Sequence, residues 1–228
     1  MNTVGPYSRE CPSPRYIELG QLYREMHTGY DADQKGVPVQ IFNGFSLIPH
    51  VETIKASIDR SGARTVLDYG SGKGLQYKNV DIEMPDGRKF ANVIEYWGVE
   101  KVTCFDPGVP EFSNLPPARF DIVVSTDVLE HCPEDDLPWI MSEMISKAER
   151  FVFATVALYP AQKILPNGEN AHCTLKSPDW WRALIEDVTA ARPDLAYRFE
   201  LHWTYQTGEG PGQRPPEIIE KGVAAVAA

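Results

Sequence analysis

The feature that constrains this chain most is a set of three alternating glycines directly after an apolar segment. The segment Thr65–Asp68 (TVLD) contains β-branched and apolar residues typical of a buried strand. Gly70, Gly72 and Gly74 follow it at every second position. Glycine permits backbone conformations that other residues avoid, and it lets a ligand lie against the main chain. In mostly parallel sheets, ligands bind beyond the carboxyl ends of the strands, where such a turn lies. The sequence therefore predicts a ligand site at this turn.

Two common phosphate-binding loops do not fit the turn. A phosphate loop needs G-x-x-x-x-G-K-[ST]; here Lys73 follows Gly72, but the next residue is another glycine and residue 67 is Leu67. The dinucleotide fingerprint G-x-G-x-x-G would need a glycine where Leu75 stands. Asp68 repels phosphate and suits a cationic group, such as the ammonium of an amino-acid moiety, held directly or through water.

Strand-like and helix-like segments alternate along the chain, which predicts an α/β fold: a doubly wound, mostly parallel, Rossmann-like sheet. The glycine turn is expected to lead into a helix. We expect a single domain, with an N-terminal arm and helix (1–46), a ligand-binding core (65–158), a loop, helix and final strand (159–205) and a flexible tail (206–228). Apolar spacing predicts helices at 17–27, 51–61, 137–148 and 180–191, and strands at 65–68, 101–105, 120–125, 151–158 and 196–205.

Charge and composition exclude several classes of partner. The formal net charge is −10 and no run of Lys and Arg exceeds two residues, so the surface repels a phosphate backbone and nucleic acid is not an expected partner. No apolar run approaches the roughly 18 residues of a membrane span, and prolines stand where a signal peptide is apolar. We therefore expect a cytoplasmic protein with no membrane partner. Its scattered cysteines suit reduced thiols.

Three motifs together resemble the class I S-adenosylmethionine-dependent methyltransferases. Asp68-x-Gly-x-Gly-x-Gly74 matches the family's first motif, (D/E)-x-G-x-G-x-G, in full. Asp106 closes the strand KVTCF where the family carries an acidic residue that binds the ribose hydroxyls, and Phe120–His131 (FDIVVSTDVLEH) looks like the family's fourth strand and following turn. The resemblance covers residues 65–155 and implies S-adenosyl-L-methionine as cofactor. The cofactor-binding residues that it implies are Asp68, Tyr69, Gly70, Gly72, Gly74, Asp106, Pro107, Asp127 and Val128.

The chain departs from the family's spacing in two places. Asp68 and Asp106 are 38 residues apart (106 − 68), nearly double the usual ~20. Residues 78–98 therefore read as an insertion between the first two strands. Only 13 residues (107–119) separate Asp106 from the next strand, so the family's third strand is shortened or missing. We expect Pro107–Leu115 to supply the adenine contacts that this strand would carry.

Two histidines are the predicted catalytic residues. His131 lies in the turn that, in the resembling family, faces the methyl donor, and His172 lies in the loop Tyr159–Ser177, which we expect to be a lid over the acceptor. Imidazole is well suited to accept a proton near neutral pH. A solvated turn and an ordinary loop histidine are the alternatives. The pairs His131-Cys132 and His172-Cys173 lack the C-x₂₋₄-C spacing of structural zinc sites, so no metal site is predicted.

The predicted function is S-adenosylmethionine-dependent methylation of an oxygen on a small polar metabolite or sugar. DNA amino-methylating enzymes carry an Asn/Asp-Pro-Pro-aromatic turn where this chain has Thr126–Glu130 (TDVLE). Metal-dependent catechol-type enzymes need acidic metal ligands after the corresponding strand. No Asp-Asn pair follows that strand in this chain. A non-catalytic binding or regulatory protein with the same fold remains open. A nicotinamide-dependent oxidoreductase also remains, although the glycine spacing argues against it.

Overall fold

Alternating strands and helices build one central sheet with helices on both sides. The structure, a computed structural model, describes residues 5–27, 44–78, 81–83, 87–207, 210–212 and 214–222. In these ranges the helices are α1 (Pro14–His27), α2 (Val51–Ser61), α3 (Val93–Trp97), α4 (Leu137–Lys147) and α5 (Pro178–Thr189). The strands are β1 (Thr65–Tyr69), β2 (Ile82–Glu83), β3 (Lys89–Phe90), β4 (Lys101–Phe105), β5 (Phe120–Thr126), β6 (Ala148–Ala157), β7 (Ala196–His202), β8 (Tyr205–Thr207), β9 (Gly210–Gly212) and β10 (Glu217–Lys221).

The central sheet has six strands in the order β10-β7-β6-β5-β1-β4. All neighbours are parallel except β10, which runs antiparallel to β7. The predicted α/β class and mostly parallel sheet are confirmed. The chain leaves β1 for β4 on one side and then returns to β5 on the other side of β1. This reversal creates a switch point at the carboxyl ends of β1 and β5, where open sheets of this kind bind ligands.

Each face of the sheet is covered by two helices. Along β1, Leu67 packs among the apolar residues of α4 and α5, while Val66 packs with those of α2 and α3. Strands buried on both faces read as continuous apolar runs, which is why these strands were visible in the sequence. The predicted helices are confirmed with small shifts at their ends. No helix in the described ranges is long and apolar enough to cross a membrane.

The helix expected after the glycine turn is absent. Leu75–Tyr77 forms a single 3₁₀ turn, and among the described residues from there to α3 only the short β2–β3 pair follows. The insertion at 78–98 takes the place of that helix. Its Trp97 is 1 % exposed and donates a hydrogen bond to the Val51 carbonyl at 3.1 Å, so α3 covers this face by packing on α2.

The prediction of a flexible tail is wrong for Glu217–Lys221, which forms β10. Ile219 is buried in the core, and the Arg198 guanidinium donates to Glu220 at 2.9 Å across the pair. The predicted final strand ends earlier, at His202, and is not the last strand of the chain. Residues 208, 209, 213 and 223–228 lie outside the described ranges, as do 1–4 and 28–43 of the arm.

The connection between β4 and β5, which the structure describes throughout, contains no strand, in keeping with its short predicted length. Within the described stretch 87–207, a 3₁₀ turn at Pro110–Phe112 is the regular element between β4 and β5. The connection is too short to reach the edge of the sheet, run along it and return. β4 is therefore the edge strand on this side.

The amino ends of β1 and β5 are joined by the carboxylate of Asp121. Its Oδ2 accepts hydrogen bonds from the backbone N–H groups of Arg64 (2.9 Å) and Thr65 (3.0 Å) and from the Thr65 hydroxyl (3.0 Å). Burial alone would raise the pKa of Asp121, but these hydrogen bonds and the Arg150 charge outweigh it and lower the pKa below its usual value. This end of the strands lies opposite the switch point.

We expect Asp121→Ala to lower the free energy of unfolding by about 1–3 kcal/mol near neutral pH, because it leaves two N–H donors unmatched. Since the folded-state pKa is depressed, the carboxylate stabilises the fold fully above its unfolded-state pKa and loses that effect as the pH falls through the folded-state pKa. Urea unfolding should therefore show a large difference in the free energy of unfolding between variant and wild type near neutral pH and a small difference in acid. Asp59→Ala, which removes an exposed pair with Lys55, should cost much less. A loss at Asp121 that is equally large in acid would contradict this account.

Candidate functional site

The glycine turn is held against the ends of two neighbouring strands. Gly70 donates its N–H to the Phe105 carbonyl at 2.7 Å, which joins the turn to β4. Gly70, Gly72 and Gly74 have φ values of 88°, 56° and 63°, a region that favours glycine. A side chain at Gly70 would also collide with Val128, which follows β5. Backbone conformation therefore favours glycine at all three positions, and the close approach of the β5 turn requires it at Gly70 as well.

Asp106 connects the turns that follow β1 and β4. We call the region formed by the turns at the carboxyl ends of β1, β4 and β5 the crevice. Its Oδ2 accepts the Gly72 N–H and its Oδ1 accepts the Gly108 N–H, both at 2.8 Å. His27 Nε2 lies 3.7 Å from Oδ1, and burial lowers the pKa of His27 although the Asp106 charge opposes that effect. The Asp106 side chain is 14 % exposed, and a carboxylate offers about four acceptor sites. Asp106 thus lies where the sequence predicted, with acceptor capacity beyond the two backbone donors.

Asp68 lies at the predicted strand end but does not present a free carboxylate to the crevice. The residue is 1 % exposed, and its Oδ2 accepts from the Gln76 amide at 2.9 Å and from the Tyr77 hydroxyl at 2.8 Å. Burial raises the pKa of Asp68 to about 7, although both hydrogen bonds act in the opposite direction. Of the two expected modes, direct or water-mediated contact with a cationic group, this burial disfavours the direct one, because Asp68 supports Gln76 beneath the turn.

Gln76 is a candidate that the sequence did not single out. Its Oε1 is buried and has no hydrogen-bond partner in the described ranges, while its amide nitrogen is held by Asp68. Gly44 lies directly against this side chain, and a Cβ there would collide with it. The one local signal was a polar residue two positions after Gly74. A buried acceptor oxygen without a partner is where a donor group of a ligand would be stabilised.

The remaining predicted cofactor residues differ in what they present. The Tyr69 phenol turns away from the turn and donates to Glu143 of α4 at 2.7 Å, so only its backbone lines the crevice. Pro107 is exposed in the bend between Asp106 and Gly108. A Cβ at Gly74 would lie 3.1 Å from the Cys104 sulfur and 3.3 Å from the Phe112 ring, closer than side chains normally pack.

The two predicted catalytic histidines lie together. Their rings are edge to face, with centroids 4.7 Å apart. His131 Nδ1 lies 2.9 Å from both the Ala171 carbonyl and the Tyr23 hydroxyl, and His172 Nδ1 lies 2.5 Å from the Tyr159 carbonyl. A carbonyl oxygen only accepts hydrogen bonds, so each Nδ1 is assigned a hydrogen, and Nε2 is the ring nitrogen left to face a ligand. Burial lowers the pKa of His131 to about 4, with Asp127 opposing and His172 adding to the shift.

Asp127 completes this cluster from the turn after β5. Its Oδ1 lies 3.9 Å from His172 Nε2, and one ligand atom each of Asp127, His131 and His172 lies within 4.8 Å of the others. Asp127 has φ 61°, the only positive φ of a non-glycine residue in the described ranges, and its N–H donates to the Thr155 hydroxyl at 3.0 Å. Strained backbone of this kind costs about 1–3 kcal/mol and is found preferentially at functional sites.

Glu130 lies fully buried beside Asp127. Its Oε1 accepts the Ala157 N–H at 2.7 Å, whereas Oε2 is buried without a hydrogen-bond partner in the described ranges. Burial, and then the charge of Asp127, raise the pKa of Glu130 well above its usual value. The turn Asp127–His131 therefore brings together an exposed carboxylate (Asp127), a buried carboxyl group (Glu130) and an imidazole (His131).

The predicted lid loop contains no helix or strand, and Asn170 holds it in shape. The Asn170 side chain accepts from the N–H groups of Ala161 (2.9 Å) and His172 (3.0 Å), and its amide donates to the Ala161 carbonyl at 2.9 Å. Thr174 ties the far end to the β5 turn by donating its N–H to the Glu130 carbonyl at 3.0 Å. The loop thus fixes His172 next to His131.

Helix α1 covers both halves of the crevice. Tyr23 contacts His131 and donates to the Ala171 carbonyl at 2.6 Å, and His27, one turn later, lies against Asp106. Leu19 and Met26 pack on the lid loop. The segment before the helix is anchored by an ion pair between Arg9 and Glu143.

A second histidine cluster lies at the carboxyl end of β7, and the sequence reading missed it. His50 Nδ1 and His202 Nε2 lie 3.4 and 3.5 Å from Glu200 Oε2, and Arg198 donates to Oε1 at 2.7 Å. Burial alone would raise the pKa of Glu200, but these three partners hold it well below its usual value. All five histidines of the chain thus lie at or against the carboxyl end of the sheet.

The crevice therefore joins two chemically different surfaces. The glycine turn, Asp106 and Gln76 offer close backbone approach, hydroxyl-accepting oxygens and a buried amide oxygen. The turn after β5 offers the Asp127 carboxylate and the His131 imidazole, and the lid loop adds the His172 imidazole beside them. Comparisons with protein-family models, with curated proteins and with solved structures find no match to this chain. The function has to be argued from these two surfaces.

Because the Tyr23 hydroxyl links α1 to the lid loop and to His131, Tyr23→Phe should loosen the helix. We expect faster hydrogen–deuterium exchange of the amides in Pro14–His27, measured by mass spectrometry, with a loss of about 0.5–1.5 kcal/mol in local protection. Tyr96→Phe is the matched control, since it removes one hydroxyl hydrogen bond, to Glu52, on another part of the surface. Unchanged exchange of α1 in Tyr23→Phe would show that the helix does not depend on this contact.

Proposed function

We propose that this protein is an S-adenosylmethionine-dependent methyltransferase that methylates an oxygen atom of a small polar metabolite or sugar. The observation that carries the proposal is the glycine turn fixed by Asp106 at the switch point of the sheet. No phosphate-binding pattern accounts for the sequence of the turn. The match of residues 68–74 to the methyltransferase motif supports the same conclusion.

The cofactor would lie along the turn in an extended form. The acceptor sites that remain on Asp106 suit the two ribose hydroxyls. The amino-acid end would lie over Gly70 and Gly72, where the buried Gln76 Oε1 can accept from its ammonium group. Asp68 would act indirectly, by orienting Gln76. Adenine would lie against Pro107–Leu115, where Phe112 offers an aromatic ring next to Gly74.

The acceptor would bind beside the histidine pair, at the neighbouring strand ends. In methyl transfer the acceptor oxygen attacks the methyl carbon as the carbon–sulfur bond breaks, and the bonding electrons stay on sulfur as a thioether. The hydroxyl proton must leave, and an imidazole Nε2 lone pair is a suitable acceptor for it. The lid loop and α1 would hold the reactants in line and exclude water.

The cofactor part of the proposal predicts that Gly72→Val lowers the affinity for S-adenosylhomocysteine at least tenfold, about 1.4 kcal/mol. Gly98→Val is the matched control: Gly98 also has a positive φ, 68°, but it ends α3 away from the crevice. Calorimetry on both variants, with circular dichroism to verify folding, separates backbone strain from loss of the site. Equal affinities in folded Gly72→Val and wild type would refute the assignment. Independently, mass spectrometry of the purified wild-type protein should detect bound cofactor or its product.

The acceptor part predicts that His172→Ala lowers the methyl-transfer rate by roughly 10²–10⁴-fold with cofactor affinity nearly unchanged. The rate would be measured with an acceptor found by screening polar metabolites and sugars. His202→Ala, from the other histidine cluster, should change the rate far less. A larger loss in His131→Ala would make His131 the main proton acceptor. Cofactor binding without transfer to any acceptor would indicate the non-catalytic alternative.

A further inference from the structure

The cluster after β5 has the features of a metal site, although the sequence predicted none. Two imidazoles and one carboxylate approach one another, and each imidazole donates its Nδ1 hydrogen to a backbone carbonyl. Metal-binding histidines almost always have the second ring nitrogen fixed in this way. We propose that Asp127, His131 and His172 together bind one divalent transition-metal ion.

The distances suit an ion with modest side-chain adjustment. Bonds of about 2.0–2.2 Å to nitrogen and oxygen place neighbouring ligand atoms roughly 3–4 Å apart. Asp127 Oδ1 and His172 Nε2 are already 3.9 Å apart, and all three ligand atoms lie within 4.8 Å of one another. The two rings are fixed by the lid loop and α1, whereas the Asp127 side chain is 48 % exposed and can rotate. Closing the site therefore includes rotation of the Asp127 carboxylate toward the ion.

A second observation points to a ligand at the same place. Glu130 Oε2, beside Asp127, is fully buried without a hydrogen-bond partner in the described ranges. Buried polar atoms are nearly always paired, and exceptions often mark an ion or an ordered water. A water molecule on the ion would satisfy Glu130. The unusual backbone of Asp127 is explained as well, since it holds the carboxylate next to His172.

The ligand set selects the class of ion. Imidazole suits zinc, iron, nickel and copper, while magnesium and calcium prefer oxygen ligands alone. Three protein ligands leave at least one position for water or substrate, as in catalytic rather than structural sites. The other cluster, around Glu200, is a poorer candidate because the Arg198 guanidinium already occupies the carboxylate at 2.7 Å. The cysteines belong to neither cluster.

The ion also narrows the acceptor class, a step that rests on the proposed methyl transfer. An open ion prefers an acceptor with two neighbouring oxygens, such as a vicinal diol or a hydroxyl next to a carboxylate. The ion lowers the pKa of the bound hydroxyl, so its proton can pass to water and the imidazoles no longer need to accept it. Loss of His172 then slows transfer because the ion is lost.

Ion binding can be tested without cofactor or acceptor. Wild-type protein would be freed of metal with a chelator and titrated with Zn²⁺ by calorimetry and with Co²⁺ by absorption spectroscopy. We expect one ion per chain and at least a tenfold weaker affinity in His172→Ala and in Asp127→Asn. Asparagine tolerates the positive φ of residue 127, so this variant should keep its fold. His202→Ala and Cys173→Ser are matched controls that should bind as the wild type does.

The outcomes separate the two proposals. No stoichiometric binding in the wild type, or unchanged binding in folded Asp127→Asn and His172→Ala, would overturn the metal site. The proposal would also be overturned if binding were lost in His202→Ala or Cys173→Ser but kept in Asp127→Asn and His172→Ala, because the ion would then lie elsewhere. Ion binding as predicted, with no methyl transfer to any acceptor, would support the site and count against the proposed function alone.

Discussion

The carboxylate of Asp106 is the interaction on which the crevice depends. It accepts backbone N–H groups from the glycine turn and from the turn after β4, and α1 reaches it through His27. Hydrogen bonds to a charged group contribute about 1.5–3 kcal/mol, more than neutral ones. Because one carboxylate hydrogen-bonds two turns and lies against α1, the shape of the switch point is set before any ligand arrives.

Burial, rather than opposite charge, sets the chemistry of the neighbouring histidine cluster. The chain is strongly acidic, and carboxylates beside imidazoles would ordinarily favour the protonated ring. The lid loop and α1 remove His131 from water, and desolvation outweighs the charge of Asp127. A neutral ring with its hydrogen committed to a carbonyl keeps an available lone pair. The covering segments therefore determine what the cluster can bind, as well as what can reach it.

Local signals predicted the sheet and the glycine turn, but contacts distant in sequence decided the rest. Each main strand was an apolar run, and alternating glycines mark a turn wherever they occur. The absent helix after the turn could not be foreseen, because Trp97 covers that face from a later segment. β10 is too short to be recognised without β7 beside it. The role of Asp68 depended on Gln76 and Tyr77, and the His50 cluster joins residues about 150 positions apart (202 − 50).

Helix α1 has a consequence for how ligands would enter and leave the crevice. Tyr23 and His27 are four residues apart, so the contacts to the histidine cluster and to Asp106 are about 6 Å apart along a single rigid helix. A helix cannot lift from one contact and keep the other without breaking its own hydrogen bonds. The two ends of the crevice therefore open together, and two ligands bound there would share one exit. The release rates of both ligands would then depend on the same motion of α1, whatever the affinity of each ligand.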